Sequence, residues 1–279
     1  MNTTITKKTF IPVAACMLLV AASCKKESND RSKKENRIAA IKTSTFNHIY
    51  QYDAQNRLAG IDYSVSSRMK ASYNASGIVL QWYDGAGDPT DHRIEINLVD
   101  GRAISVKENN ATYRNDHFYT YDNEGKMIQA QVTRTALANN QVENRGEATM
   151  SWDGNLLQRV LLQVSNRFGE KTDSIINVFT YYNDKKFITW DDTGFSYFGK
   201  MPIGGFPNGF GWRLPINFLS EDIMPSAAAM KGASRKSYYR NGGAWSLSQG
   251  SSNYPEDDYL HDEQGRLNKW RTGIEITWK

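Results

Sequence analysis

One unit recurs along this chain and limits what it can become. Its clearest copy is Phe118-Tyr119-Thr120-Tyr121-Asp122-Asn123-Glu124-Gly125-Lys126-Met127-Ile128. Aromatic and polar residues alternate into an aspartate, a glycine follows three positions later, and apolar alternation then resumes. Alternation with period two marks a strand, and the step from Asp to Gly marks a tight turn. Asp at the start of a turn accepts backbone N–H groups two residues on, while Gly at its close tolerates a positive φ. The unit is a β-hairpin.

Further copies run along the chain. They are centred on Tyr50-Gln51-Tyr52-Asp53, where Asn56 takes the position of the glycine, on Asn74, on the pair Asp100-Gly101, on Trp152-Asp153-Gly154, on Asn183, on Asn241-Gly242-Gly243, and on Asp262 to Gly265. The first six turn anchors, counting Asp122, lie 21 to 31 residues apart. That is the length of one hairpin and its return connection, as in a sheet built from similar units. The predicted fold is therefore all-β: an antiparallel meander of hairpins forming one large curved sheet or half-open barrel across residues 38–279. The rhythm breaks between residues 190 and 235, an irregular insertion rich in Gly, Pro and aromatics, where Ser220 with Glu221 and Asp222 can cap a short helix.

The first residues are read apart from the fold. Lys7 and Lys8 precede an apolar run from Phe10 to Val20, and Ala21-Ala22-Ser23-Cys24 follows. A charged start, a short apolar stretch and a small-residue site make a signal peptide over residues 1–23. The apolar run is shorter than the roughly 20 residues that span a bilayer. Cys16 lies inside that run, whereas Cys24 is followed at once by Lys25-Lys26-Glu27, so Cys24 is the expected acylation site. Residues 24–37 are charged and poor in apolar side chains, a flexible tether. The chain's two cysteines both fall before residue 25, so no disulfide is expected in the body. With 34 basic against 30 acidic residues the charge is nearly balanced, and no nucleic-acid partner is implied.

Ala21-Ala22-Ser23-Cys24 resembles the lipobox of bacterial lipoproteins. The pattern Tyr-x-Tyr-Asp-x-x-Gly-Lys/Arg-apolar, best seen at Tyr119 to Met127 and at Tyr259 to Leu267, is similar to the YD repeat. Together they resemble uncharacterised Bacteroidetes lipoproteins of the family called domain of unknown function 4595, over about residues 46–279. The resemblance implies a repeat-built antiparallel sheet and brings no activity with it. The lipobox implies a membrane partner through the lipid anchor and a cell-envelope, outer-membrane location. Lys26-Glu27 faintly resembles a surface-export signal, which leaves the periplasmic face and the cell surface both open.

Chemistry, if any, is expected where the hairpin fails to recur. Trp190, Phe206, Phe210, Trp212 and Phe218 are candidates for an aromatic platform that binds a glycan, a lipid or an envelope protein, or else for a plug in the sheet. Asp53, Asn56, Asp122, Gly125, Asp262 and Gly265 are turn residues, structural in role. Asp84-Gly85-Ala86-Gly87-Asp88 lacks the alternating ligands of a calcium loop and reads as a glycine turn. His48, His92, His117 and His261 show no metal-ligand spacing, and no cofactor is expected. Alternating strands also fit a transmembrane barrel, but its lipid face needs sustained apolar alternation, and polar residues such as Gln129, Gln131 and Arg134 break that alternation. The residues leave two functions in play: a lipid-anchored binding or structural module, and, as the alternative, a glycan-acting hydrolase using carboxylates near Asp191 and Asp192. An enzyme is the less favoured of the two.

Overall fold

The same turn closes five hairpins. In the computed structural model Asp53 Oδ1 accepts the N–H groups of Gln55 and Arg57 at 3.0 and 2.9 Å, and Asp122 Oδ1 those of Glu124 and Lys126 at 2.9 and 2.8 Å. Asp262 repeats the pattern with Gln264 and Arg266, Asn166 with Phe168 and Glu170, and Asp84 with Ala86, Gly87 and Asp88. Three positions on, Asn56, Gly125 and Gly265 have φ of 61°, 79° and 73°. Asp100 and Gly101 are both left-handed, as a two-residue hairpin loop demands. The carboxylate of Asp84, a calcium ligand in the discarded reading of its loop, thus serves its own turn.

The structure describes residues 37–189, 191–198, 228–241, 244–270 and 273–279. Contacts divide the chain into residues 1–33 and 34–279, and every described residue belongs to the second unit. Cys24 lies outside the described residues. The strands are β1 (Ile38–Lys42), β2 (Asn47–Tyr52), β3 (Leu58–Ser64), β4 (Ser67–Tyr73), β5 (Gly77–Asp84) and β6 (Pro89–Val99). They continue as β7 (Arg102–Asn109), β8 (Tyr113–Tyr121), β9 (Met127–Ala136), β10 (Gln141–Asp153), β11 (Leu156–Asn166) and β12 (Lys171–Tyr181). After the insertion come β13 (Met230–Asn241), β14 (Ala244–Asn253), β15 (Tyr259–His261), β16 (Leu267–Trp270) and β17 (Ile274–Trp278).

All pairs are antiparallel. Each strand from β1 to β14 pairs with the next through the meander, except that the insertion separates β12 from its partner β13 in sequence. The C-terminal trio β15–β16–β17 joins at the other side, with β17 against β1. Among the described residues no ladder links β14 to β15, so the seventeen-stranded sheet stays open. Tyr254 N–H, donating to Lys231 O, extends the β13–β14 pair, and two side chains of β15 reach past its end: Tyr259 Oη donates to Met230 O, and His261 Nε2 lies 2.9 Å from Lys186 O.

A second device ties neighbouring strands together. Where β2, β8, β10 and β12 run into their turns or exits, the register slips by one residue. Each bulge interrupts the ladder and leaves backbone groups for other partners. The last aromatic of a strand then donates to a carbonyl at the foot of the strand before it: Tyr52 to Ile38, Tyr73 to Leu58, Tyr121 to Ala103, Trp152 to Met127, Tyr181 to Leu157 and Trp278 to Leu267, all at 2.6–2.8 Å. The aromatic preceding the turn anchor is thus a clamp, and the indoles of Trp152 and Trp278 do the same work as the tyrosines.

One expected hairpin is absent. β12 ends at Tyr181, and the chain around Asn183 leaves the sheet instead of turning back. Lys186 holds the position that Gly125 and Asn56 occupy elsewhere, and a lysine resists the left-handed conformation the closing residue needs. The interval from 190 to 235 is also shorter than its sequence suggests, because β13 already begins at Met230. The segment after β12 packs into the inner face of the sheet. Ile188, Phe195 and Phe198 are fully buried there, against a core of Tyr50, Leu58, Ile61, Ile78, Ile94 and Val106. Two backbone donors at strand feet pin it, Leu58 N–H to Gly194 O at 3.1 Å and Ala103 N–H to Tyr197 O at 2.7 Å. Gly194 has φ 69°, and a Cβ there would stand 2.8 Å from the Tyr52 ring, so only glycine fits.

The outer face is wet. Lys107, Arg145, Glu147, Arg159 and Lys236 are exposed along it. Each such Lys or Arg would cost roughly 2–4 kcal/mol on a lipid-facing barrel wall at mid-bilayer, and a glutamate somewhat less.

Candidate functional site

On β6 to β9 the inner face carries a cluster of polar side chains. Glu108 on β7 stands opposite Asn115 on β8, and Asn115 opposite Arg134 on β9, so the three share one row of one face. Asn115 Nδ2 donates to Glu108 Oε2 at 2.7 Å, and Arg134 Nε donates to Asn115 Oδ1 at 3.1 Å. His92 on β6 places Nε2 3.4 Å from Glu108 Oε1, within ion-pair range but without hydrogen-bond geometry. His117 lies one row deeper, 3% exposed, with Nε2 buried and unpartnered.

Electrostatics assigns charges to this row. Burial pushes the Glu108 carboxyl up, yet the hydrogen bond from Asn115 and the imidazoles of His92 and His117 bring it below the usual carboxylate range. Glu108 is ionised. Burial lowers His117 to about 4, with Glu108 and Asp116 opposing and Arg134 assisting, so its ring is neutral. Toward the open side the row acquires a rim: the Trp82 and His92 rings stack at 4.0 Å, and the Arg134 guanidinium lies 4.0 Å over the Tyr113 ring. Trp82, His92, Tyr113 and Arg134 are half-exposed and surround a buried, hydrogen-bonding floor. Flat apolar faces beside charged and amide groups can hold a ring that carries hydroxyls.

The residues read from the sequence as a platform do not enter this site. Trp190, Phe206, Phe210, Trp212 and Phe218 lie outside the described residues, as do Glu221 and Asp222. Asp53, Asn56, Asp122, Gly125, Asp262 and Gly265 stand in turns. Asp192 is occupied: its Oδ2 accepts from Thr189 N–H and Oγ1 at 2.7 and 2.8 Å. Burial raises its pKa against those hydrogen bonds. Among the described residues no group of three or more His, Cys, Asp or Glu could hold a metal ion. The inner-face row was missed because its members are spread from residue 82 to 134. The available signal was polar residues on the parity of otherwise buried positions, Asn115 and His117 before Tyr119 on β8.

By its fold the chain is an all-β protein made of one open antiparallel sheet with a filled inner face. It is similar to a porin-like protein from Bacteroides vulgatus, with TM-score 0.57 and 10% identity over 88% of this chain and 99% of that one. A porin-like protein from Bacteroides uniformis is similar at TM-score 0.51 and 12% identity, over the same shares of each chain. At such identities the likeness concerns the fold. No family model matches the sequence, and no curated protein matches it.

Proposed function

We propose that this is a lipid-anchored cell-envelope protein whose curved sheet is a non-catalytic glycan-binding module. The observation that carries the reading is the inner-face row of Glu108, Asn115 and Arg134 beneath the Trp82–His92 stack, an ionised carboxylate and a guanidinium beside aromatic faces. A hydrolase of the usual kind needs two carboxyl groups about 5 to 9.5 Å apart. Glu108 has amide, imidazole and guanidinium neighbours in its row instead. The lipobox ending at Cys24 supports the anchor, and the charged outer face suits a water-exposed sheet held near a membrane. The lipoprotein family with YD-like repeats remains the family proposed.

Two measurements test this. On a glycan array the full chain should bind a defined set of sugars, and His92→Ala and Arg134→Gln should each weaken that binding at least tenfold while far-UV circular dichroism is unchanged. Equal binding by both variants, or no binding by the wild type, removes the glycan reading. Separately, Cys24→Ala should move the protein from the membrane fraction to the soluble one, since several buried acyl chains at about 0.8 kcal/mol per methylene make a lasting anchor. Unchanged membrane fractionation removes the anchor.

A further inference from the structure

On β12 to β14 the inner face changes character again. Asn177 stands opposite Arg235, and Arg235 opposite Gly250, so the three share one row of the face. Arg235 Nε donates to Ser237 Oγ at 2.7 Å, which orients the guanidinium plane. Among the described residues no carboxylate pairs with it, and its two terminal nitrogens have no hydrogen-bond acceptor. Burial lowers its pKa with no neighbouring charge to offset the effect. Asn177 is 3% exposed, and its Nδ2 is buried without a partner. Gly250 leaves the row open, since a Cβ there would meet no described atom within 4 Å.

The free groups are donors. A guanidinium offers two parallel N–H groups that match the oxygens of a carboxylate, sulfate or phosphate, and an unmatched buried amide is unfavourable until an acceptor arrives. Asp173 is the carboxylate on this face of β12, but its partner across the ladder is Tyr239, four residues along β13 from Arg235. It does not neutralise the guanidinium.

We infer that the inner face of β12 to β14 binds an oxyanion, held by the terminal nitrogens of Arg235 with Asn177 as a third donor and the space beside Gly250 as its entrance. Two sources share this chemistry, a free inorganic anion and the carboxylate of an acidic sugar. The site lies on other strands than the Glu108 row and stands or falls independently of it.

Calorimetric titration of the full chain with sulfate, phosphate and glucuronate, at ionic strength fixed with chloride, tests the inference. Saturable binding is expected for at least one of the three, weakened tenfold or more in Arg235→Gln. Tighter binding of glucuronate than of the inorganic anions assigns the acidic sugar, and the reverse order assigns the free anion. Gly250→Val keeps the guanidinium and fills the space beside it, so it should weaken binding too and serves alone if Arg235→Gln fails to fold. Absence of saturable heat with all three anions, or unchanged affinity in a folded variant, overturns the inference.

Discussion

At the scale of single residues, the turn and the buried imidazole make the sharpest expectations. Gly125 has φ 79°, and its nearest neighbour is the mobile end of Arg102, so the conformation and not the space demands glycine. Gly125→Val should destabilise by about 1–3 kcal/mol, the usual cost of a forced left-handed residue. A urea midpoint equal to wild type would show that the turn tolerates a side chain. His117 sets a pH dependence of definite sign. Its pKa falls to about 4 in the folded protein from an ordinary value of 6.5, so the unfolded chain binds the extra proton between those values. Stability is therefore unaffected above pH 6.5 and declines as pH falls toward 4, by up to about 3 kcal/mol for this group. His117→Gln should flatten that slope when urea midpoints at about pH 7 and pH 4.5 are compared. An unchanged slope would assign the acid lability to other groups.

At the scale of elements, the segment after β12 shows why a missing hairpin matters. The sequence around Asn183 looks like one more copy, because Tyr181 and Asn183 supply its aromatic and its turn opener. Tyr181 does act as a clamp, donating to Leu157 O, but without a closing glycine the chain passes into the sheet's inner face. There Phe195 and Phe198 stack with centroids 6.1 Å apart, and Phe198 meets the Tyr119 ring edge-on at 5.7 Å. Phe198→Ala should cost about 3–5 kcal/mol by opening a cavity between the segment and β8. Thermal unfolding monitored by near-UV circular dichroism checks it, and a loss below about 1 kcal/mol would mean that the segment is not part of the core.

At the scale of the whole molecule, strands, turns and the all-antiparallel order were legible because they are local. Alternation selects a strand, Asp-x-x-Gly selects its turn, and consecutive hairpins leave little choice of neighbour. The clamps were half legible: the aromatic before each turn was visible, whereas its acceptor, a carbonyl freed by a bulge in the preceding strand, was not. Two things depended on tertiary structure alone. One is the pairing of β17 with β1, which sets residues more than two hundred positions apart side by side. The other is the pair of polar rows, Glu108–Asn115–Arg134 and Asn177–Arg235–Gly250, assembled from strands whose own patterns read as ordinary half-buried sheet. Periodicity states which face a residue takes. Which residues of other strands share that face depends on register, and register is fixed only when the bulges, the clamps and the buried phenylalanines have all found their partners.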